Sequence, residues 1–326
     1  FTATTRQNDL DTSVTISFQP GAGGNQALTL GGNTENRQAF LTFGDKSWGS
    51  VKVGKDLGIF GSTAILNDMT LLGVGSNGGG TQHNGGAKGT TTTLGGIGTG
   101  YLYADWKGQI AYTTPNMNGL ALTVGITQPW NTTNLSTASA TSSGGSDMYA
   151  IEAQGSYSWT GDFAGKVWVG AFGQEVQNLT GANITGSTDE DASAFEAGIS
   201  TTIMNIGLVG YAYSGEGVGT TGMLSDGFSN DGKSRDSDGG YVQATYVIPM
   251  GTKLGVSYGI SSLDDNATDA GLNLVKQNER VTVGAYHPLT KHLNLVAEWS
   301  NVQSESNGPQ SDLETNIVSV GAILFF

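Results

Sequence analysis

The stretch Tyr149-Ala150-Ile151-Glu152-Ala153-Gln154-Gly155-Ser156-Tyr157-Ser158-Trp159 decides the fold. Tyr149, Ile151, Ala153, Gly155, Tyr157 and Trp159 fall on one side of an extended chain. Ala150, Glu152, Gln154, Ser156 and Ser158 fall on the other. Successive strand side chains point to opposite faces, so this is a strand with one apolar and one polar face. The same period of two recurs in both directions along the chain. Leu120, Leu122, Val124 and Ile126 alternate with smaller or polar residues, as do Leu254, Val256, Tyr258 and Ile260. Val318, Val320, Ala322, Leu324 and Phe326 form one face of the last segment. About fourteen such segments can be marked by this rule. They span 11–19, 35–44, 48–56, 106–114, 118–128, 147–159, 163–176, 191–202, 204–215, 240–249, 252–262, 275–287, 292–304 and 312–326. A long amphipathic helix is found nowhere; residues 62–72 suit a short helical turn inside a loop.

The connections alternate in length. Residues 44–47, 114–117, 160–162, 202–204, 250–251 and 288–291 are short turns. Residues 20–34, 57–105, 129–146, 177–190, 216–239, 263–274 and 305–311 are long and polar. Short turns at one end and long loops at the other describe a transmembrane β-barrel. Strands of about 9–11 residues suffice to cross the hydrocarbon when tilted, and a closed barrel satisfies every backbone group there. Tyr103, Trp106, Tyr157, Trp159, Tyr211, Tyr213, Tyr241, Tyr246, Tyr286, Trp299, Phe325 and Phe326 lie near strand ends, as an interfacial girdle requires.

Composition excludes several other classes. The 326 residues include 52 Gly, 6 Pro and no Cys. Absence of Cys rules out a disulfide scaffold and a thiol nucleophile. Fourteen Lys and Arg stand against 28 Asp and Glu, a net charge of −14, which argues against nucleic acid as a partner. No apolar run reaches the length of a membrane-crossing helix. His83, His287 and His292 lack metal-ligand spacing, so no cofactor is expected. Asp226, Asp231, Asp236 and Asp238 lie in a Gly-rich loop without the spacing of a calcium hand. No Gly-x-Ser-x-Gly elbow is present. Phe1-Thr2-Ala3-Thr4-Thr5-Arg6 lacks an initiating Met and a leader pattern, and is read as the start of a processed or truncated chain.

Residues 36–44, Asn-Arg-Gln-Ala-Phe-Leu-Thr-Phe-Gly, and 48–56, Trp-Gly-Ser-Val-Lys-Val-Gly-Lys-Asp, resemble the hairpin that leads into the long third external loop of general Gram-negative porins. Phe60-Gly61 through Asn67-Asp68-Met69 and residues 109–119 are similar to the loop start and the exit strand of that family. Terminal Phe326 resembles the aromatic end read by the outer-membrane assembly machinery. The resemblance implies a 16-stranded antiparallel barrel over residues 1–326, its first strand missing from this chain. It implies that the loop 57–105 folds inward as the constriction. It also implies a homotrimer in outer-membrane lipid and lipopolysaccharide, passing small hydrophilic solutes and ions by passive diffusion, with no enzymatic activity.

By the same resemblance Arg37 matches a constriction arginine and Asp68 a loop acid; Lys52, on the polar face of the next strand, and its neighbours Lys55 and Asp56 are further candidates for the narrow point. Strict alternation points Lys55 away from Lys52. Glu152, Glu175, Glu196, Glu298, Lys253 and Arg280 are further lumen candidates, and outward Gln38 and Thr42 suit a protein-covered wall. The charge of −14 leads us to expect a mild cation preference. A substrate-specific channel for sugars or organic acids is the nearest alternative; a barrel enzyme and a soluble adhesin are more distant ones.

Overall fold

The computed structural model describes residues 1–20, 34–72, 95–132, 139–142, 146–222, 224–269 and 271–326. Fifteen strands follow one another in hydrogen-bonded order, every neighbour antiparallel. They are β1 (Thr2–Gln7), β2 (Leu10–Ile16), β3 (Ala39–Asp45), β4 (Gly49–Leu57), β5 (Trp106–Thr113), β6 (Leu120–Thr127), β7 (Ala150–Trp159) and β8 (Phe163–Thr180). Then come β9 (Thr188–Ile203), β10 (Ile206–Glu216), β11 (Asp236–Val247), β12 (Lys253–Leu263), β13 (Val275–Pro288), β14 (Leu293–Ser306) and β15 (Leu313–Leu324). A two-residue strand, Thr141–Ser142, pairs with the far end of β8. Among the described residues β1 and β15 are the ends of this order and are not bonded to each other.

The sheet is inside-out relative to a water-soluble protein. Ile151, Val169, Phe195 and Val242 are about 60% exposed or more, while Glu152, Gln174 and Glu196 are buried. Alternation generates both sets, because Ile151 and Glu152 are neighbours on one strand. The outward apolar surface asks for lipid, and the inward polar surface asks for water or for a polar partner.

Curling of the sheet follows from one segment. Leu57 ends β4, and twelve residues later Met69 packs against Tyr286 of β13 and Val296 of β14. On a flat sheet β4 and β14 would lie ten spacings apart, roughly 48 Å at ~4.8 Å each. Twelve residues reach at most about 41 Å fully extended, and Ser62–Asn67 are helical, which shortens them further. The sheet must therefore wrap around this segment.

Inward and outward rows correct four readings. Tyr211, Tyr213, Tyr241 and Tyr286 are buried on the inward face and do not belong to the girdle, whereas Tyr157, Tyr246 and Trp299 are outward and exposed. Glu175 faces outward, because its neighbours Gln174 and Val176 fill the buried inward row. Thr42 lies opposite Lys52, and the Gln38 amide reaches Asp56, so both face inward with those charges. Strands β8 and β9 run 18 and 16 residues, longer than the alternation suggested. Their distal outward positions are polar, Glu175 opposite Asp191, so they continue as a hairpin past the apolar band.

Candidate pore lining

The segment that follows β4 turns inward at Gly58 and is held by carboxylates of the wall. Glu152 of β7 accepts hydrogen bonds from the backbone N–H of Ile59 (2.7 Å) and Phe60 (2.9 Å) with one oxygen. Its other oxygen pairs with Lys107 of β5 and accepts from the Thr127 hydroxyl. Lys107 also lies 3.5 Å from the centre of the Trp130 ring. Glu196 of β9 accepts from the Gly61 N–H at 3.0 Å and from the Tyr211 hydroxyl at 2.9 Å. Gly61 sits at φ 77°, a left-handed conformation that lets the chain swing from the wall into the helix Ser62–Asn67.

The helix crosses to the opposite wall. Thr63 donates to Gln154 at 2.7 Å, and Tyr241 of β11 donates to the Ala64 carbonyl at 2.7 Å. Gln243 receives the Met69 N–H at 2.7 Å and donates to the Asn67 carbonyl at 3.0 Å. Residues 95–105 return along the same wall, where the Gly100 N–H donates to Ser261. Beneath the segment, Trp168 stacks on Tyr211, which contacts Tyr241, which contacts Tyr101 of the segment itself. Burial of these rings against the loop supplies the apolar part of its docking.

The residues expected at the narrow point fall into different places. Lys52 and Asp56 form an ion pair on the inward face of β4, and Gln38 donates to the second Asp56 oxygen at 3.0 Å. Arg37 lies half-buried just before β3. Lys55 pairs across with Ala39 in the row that includes outward Leu41 and Val53. Asp68 is buried, with all four acceptor positions engaged. It accepts from the Thr70 N–H (2.8 Å) and hydroxyl (2.7 Å), and from the Gly96 N–H (2.7 Å) and Tyr101 hydroxyl (2.7 Å). Asp68 thus clasps the outgoing and returning limbs of the segment. Arg280 of β13 completes the clasp by donating to the Gly95 carbonyl. Residues 73–94, with His83 and the Gly78-Gly79-Gly80 run, lie outside the described residues.

Lys107 escaped the sequence reading, although its place one residue into a strand gives it inward parity. Its partnership with Glu152 joins strands distant in the chain, and no local pattern announces that. Among the described residues no group of three or more His, Cys, Asp or Glu could hold a metal ion.

Comparison with known proteins agrees with this architecture. The family model for Gram-negative porins matches residues 2–307. No curated protein matches the chain. Among solved structures, the outer membrane channel DcaP of Acinetobacter baumannii superposes with a TM-score of 0.67 at 14% identity, over 99% of this chain and 83% of that one. Salmonella typhi OmpF in complex with daunomycin gives 0.58 at 14% identity, over 98% and 88%. In-vitro folded OmpT of Vibrio cholerae gives 0.57 at 16% identity, over 99% and 86%. At such identities these likenesses speak for the fold. Taken with the near-complete family match, the inside-out sheet and its inward-docked loop establish that the chain belongs to the Gram-negative porin family of the bacterial outer membrane.

Proposed function

We propose that the protein is a general diffusion porin whose narrow point is set by residues 57–105. The observation that carries this reading is the row of bonds from Glu152, Glu196, Tyr241 and Gln243 to that segment. They tie residues 59–69 to inward faces of the wall, which supports an inward-folded loop at the narrow point. Lys52 and Asp56 supply charge on the inward face of β4. Asp68 acts as the clasp of the loop, and Lys55, in the outward row, is left out of the narrow point.

The inward wall residues Trp168, Tyr211 and Tyr241 are contiguous, as a sugar-guiding ladder would be. They are at most 5% exposed beneath the loop and offer no track to a solute, which favours a general pore over a substrate-specific channel. An enzymatic reading has little support: His287 and His292 border a short turn, and His287 Nδ1 shares a hydrogen bond with Thr252. Assembly as a homotrimer is part of the proposal; one related OmpT structure is described as a trimer form. So are contact with lipopolysaccharide, recognition of Phe326 by the assembly machinery and a further strand closing the gap between β1 and β15. An unpaired edge is costly in hydrocarbon, which supports the last point.

Liposome swelling with sugars of graded size tests the channel type. Rates falling smoothly with solute size and linear in concentration are expected. Saturation with one solute would favour the specific channel.

A further inference from the structure

A niche of about 190 Å³ opens between Met69 of the inward segment and the wall strands β12 to β15. Met69, Val296, Ile323 and Pro288 give it apolar sides. Lys253, Asn294 and Tyr286 supply its polar lining. Lys253 opens β12 beside a short turn, at the end of the lumen that loop lengths assign to the periplasm.

Lys253 is held differently from the two inward lysines that have acidic partners. Lys52 and Lys107 are each neutralised by a carboxylate. Lys253 forms no ion pair among the described residues; its ammonium instead lies 4.9 Å from the centre of the Tyr286 ring. That ring is fixed by a 2.7 Å bond from its hydroxyl to Glu298, which is not among the residues around the niche. The Asn294 amide makes no side-chain hydrogen bond among the described residues. One uncompensated cation and one free amide donor against greasy sides match a small carboxylate with an apolar body. A cationic solute is repelled there, and a sugar leaves most of its hydroxyls unpaired.

We propose that this niche is a binding step for small apolar carboxylates, on the periplasmic side of the narrow segment. The inference rests on the pore reading above, and the two are separable by experiment. Benzoate serves as the probe, with benzylamine as the control of similar shape and opposite charge. In single-channel recordings of the full chain, benzoate is expected to reduce conductance saturably and benzylamine to leave it unchanged. K253M should raise the half-blocking concentration about tenfold, the loss of one charge-assisted hydrogen bond, while K253R keeps it near the parent value. Saturation-transfer NMR on the detergent-folded protein gives the same ranking without any current, and K253Q replaces K253M if the latter fails to fold. Conductance steps with no saturable benzoate effect, or an equal effect in parent and K253M, overturn the niche and leave the pore intact. Lysine-dependent benzoate binding by NMR in a protein that never conducts keeps the niche and overturns the pore.

Discussion

Glu152 shows what one side chain contributes. Its carboxylate neutralises Lys107, receives two backbone N–H groups of the inward segment and is fully buried. Removing it leaves Lys107 buried and uncompensated, which in comparable pairs costs about 3–5 kcal/mol. E152A should therefore lower the temperature at which the folded barrel loses its compact gel mobility, and E152A/K107M should recover part of the loss. An unchanged E152A midpoint would contradict this account. Asp68 makes a second residue-scale prediction. Its four bonds tie both limbs of the segment, so D68A should raise open-channel noise, whereas a purely electrostatic role predicts altered selectivity at constant noise. The sequence marked Asp68 by its resemblance to a loop acid, but could not show that all its acceptors are used. Hydrogen-bond partners at Thr70, Gly96 and Tyr101 depend on how the loop returns.

At the scale of elements, the period of two was almost fully legible. The segment read at 106–114 is β5 (Trp106–Thr113), and that read at 252–262 is β12 (Lys253–Leu263). A barrel wall separates lipid from water at every second residue, so alternation survives in the sequence. Facing errors arose at Gln38, which precedes the regular strand, at Glu175, where β8 leaves the apolar band, and at Thr42, inside β3, where Phe40 and Leu41 make both faces apolar. Neighbouring positions on β6 test the two faces. L122R, outward, should cost about 2–4 kcal/mol near the midplane of the bilayer. T123R, inward, should fold and alter only conductance, as urea titration of both variants in vesicles can show. The docking of the inward segment has its own check. The chain has no native Cys, so T63C/Q154C, at a pair bonded at 2.7 Å, should be joined by a short bis-maleimide in the folded protein. Absence of that cross-link would place the segment elsewhere.

For the molecule as a whole, the charge of −14 does not sit evenly on the lumen. Glu152, Glu196 and Asp56 are occupied by loop or lysine partners, while Glu175, Asp191 and Glu314 are on outward rows. Apart from the inward lysines Lys166 and Lys253, what remains for permeating ions is a field from the acidic external loops. A mild cation preference is expected in dilute salt. It should fade toward 1 M, where the screening length is about 3 Å; a preference that persists at high salt would point to fixed charge at the narrow point. The net charge was legible in the sequence, but its sorting between mouth, wall and lumen depends on strand register. Everything said of solutes presupposes that the curled sheet encloses water across a bilayer. The direct measurement is current through a planar membrane holding the detergent-purified, heat-modifiable protein. Discrete, ohmic steps that grow with salt concentration are predicted. A correctly folded protein that inserts yet passes no current at any voltage would contradict the account.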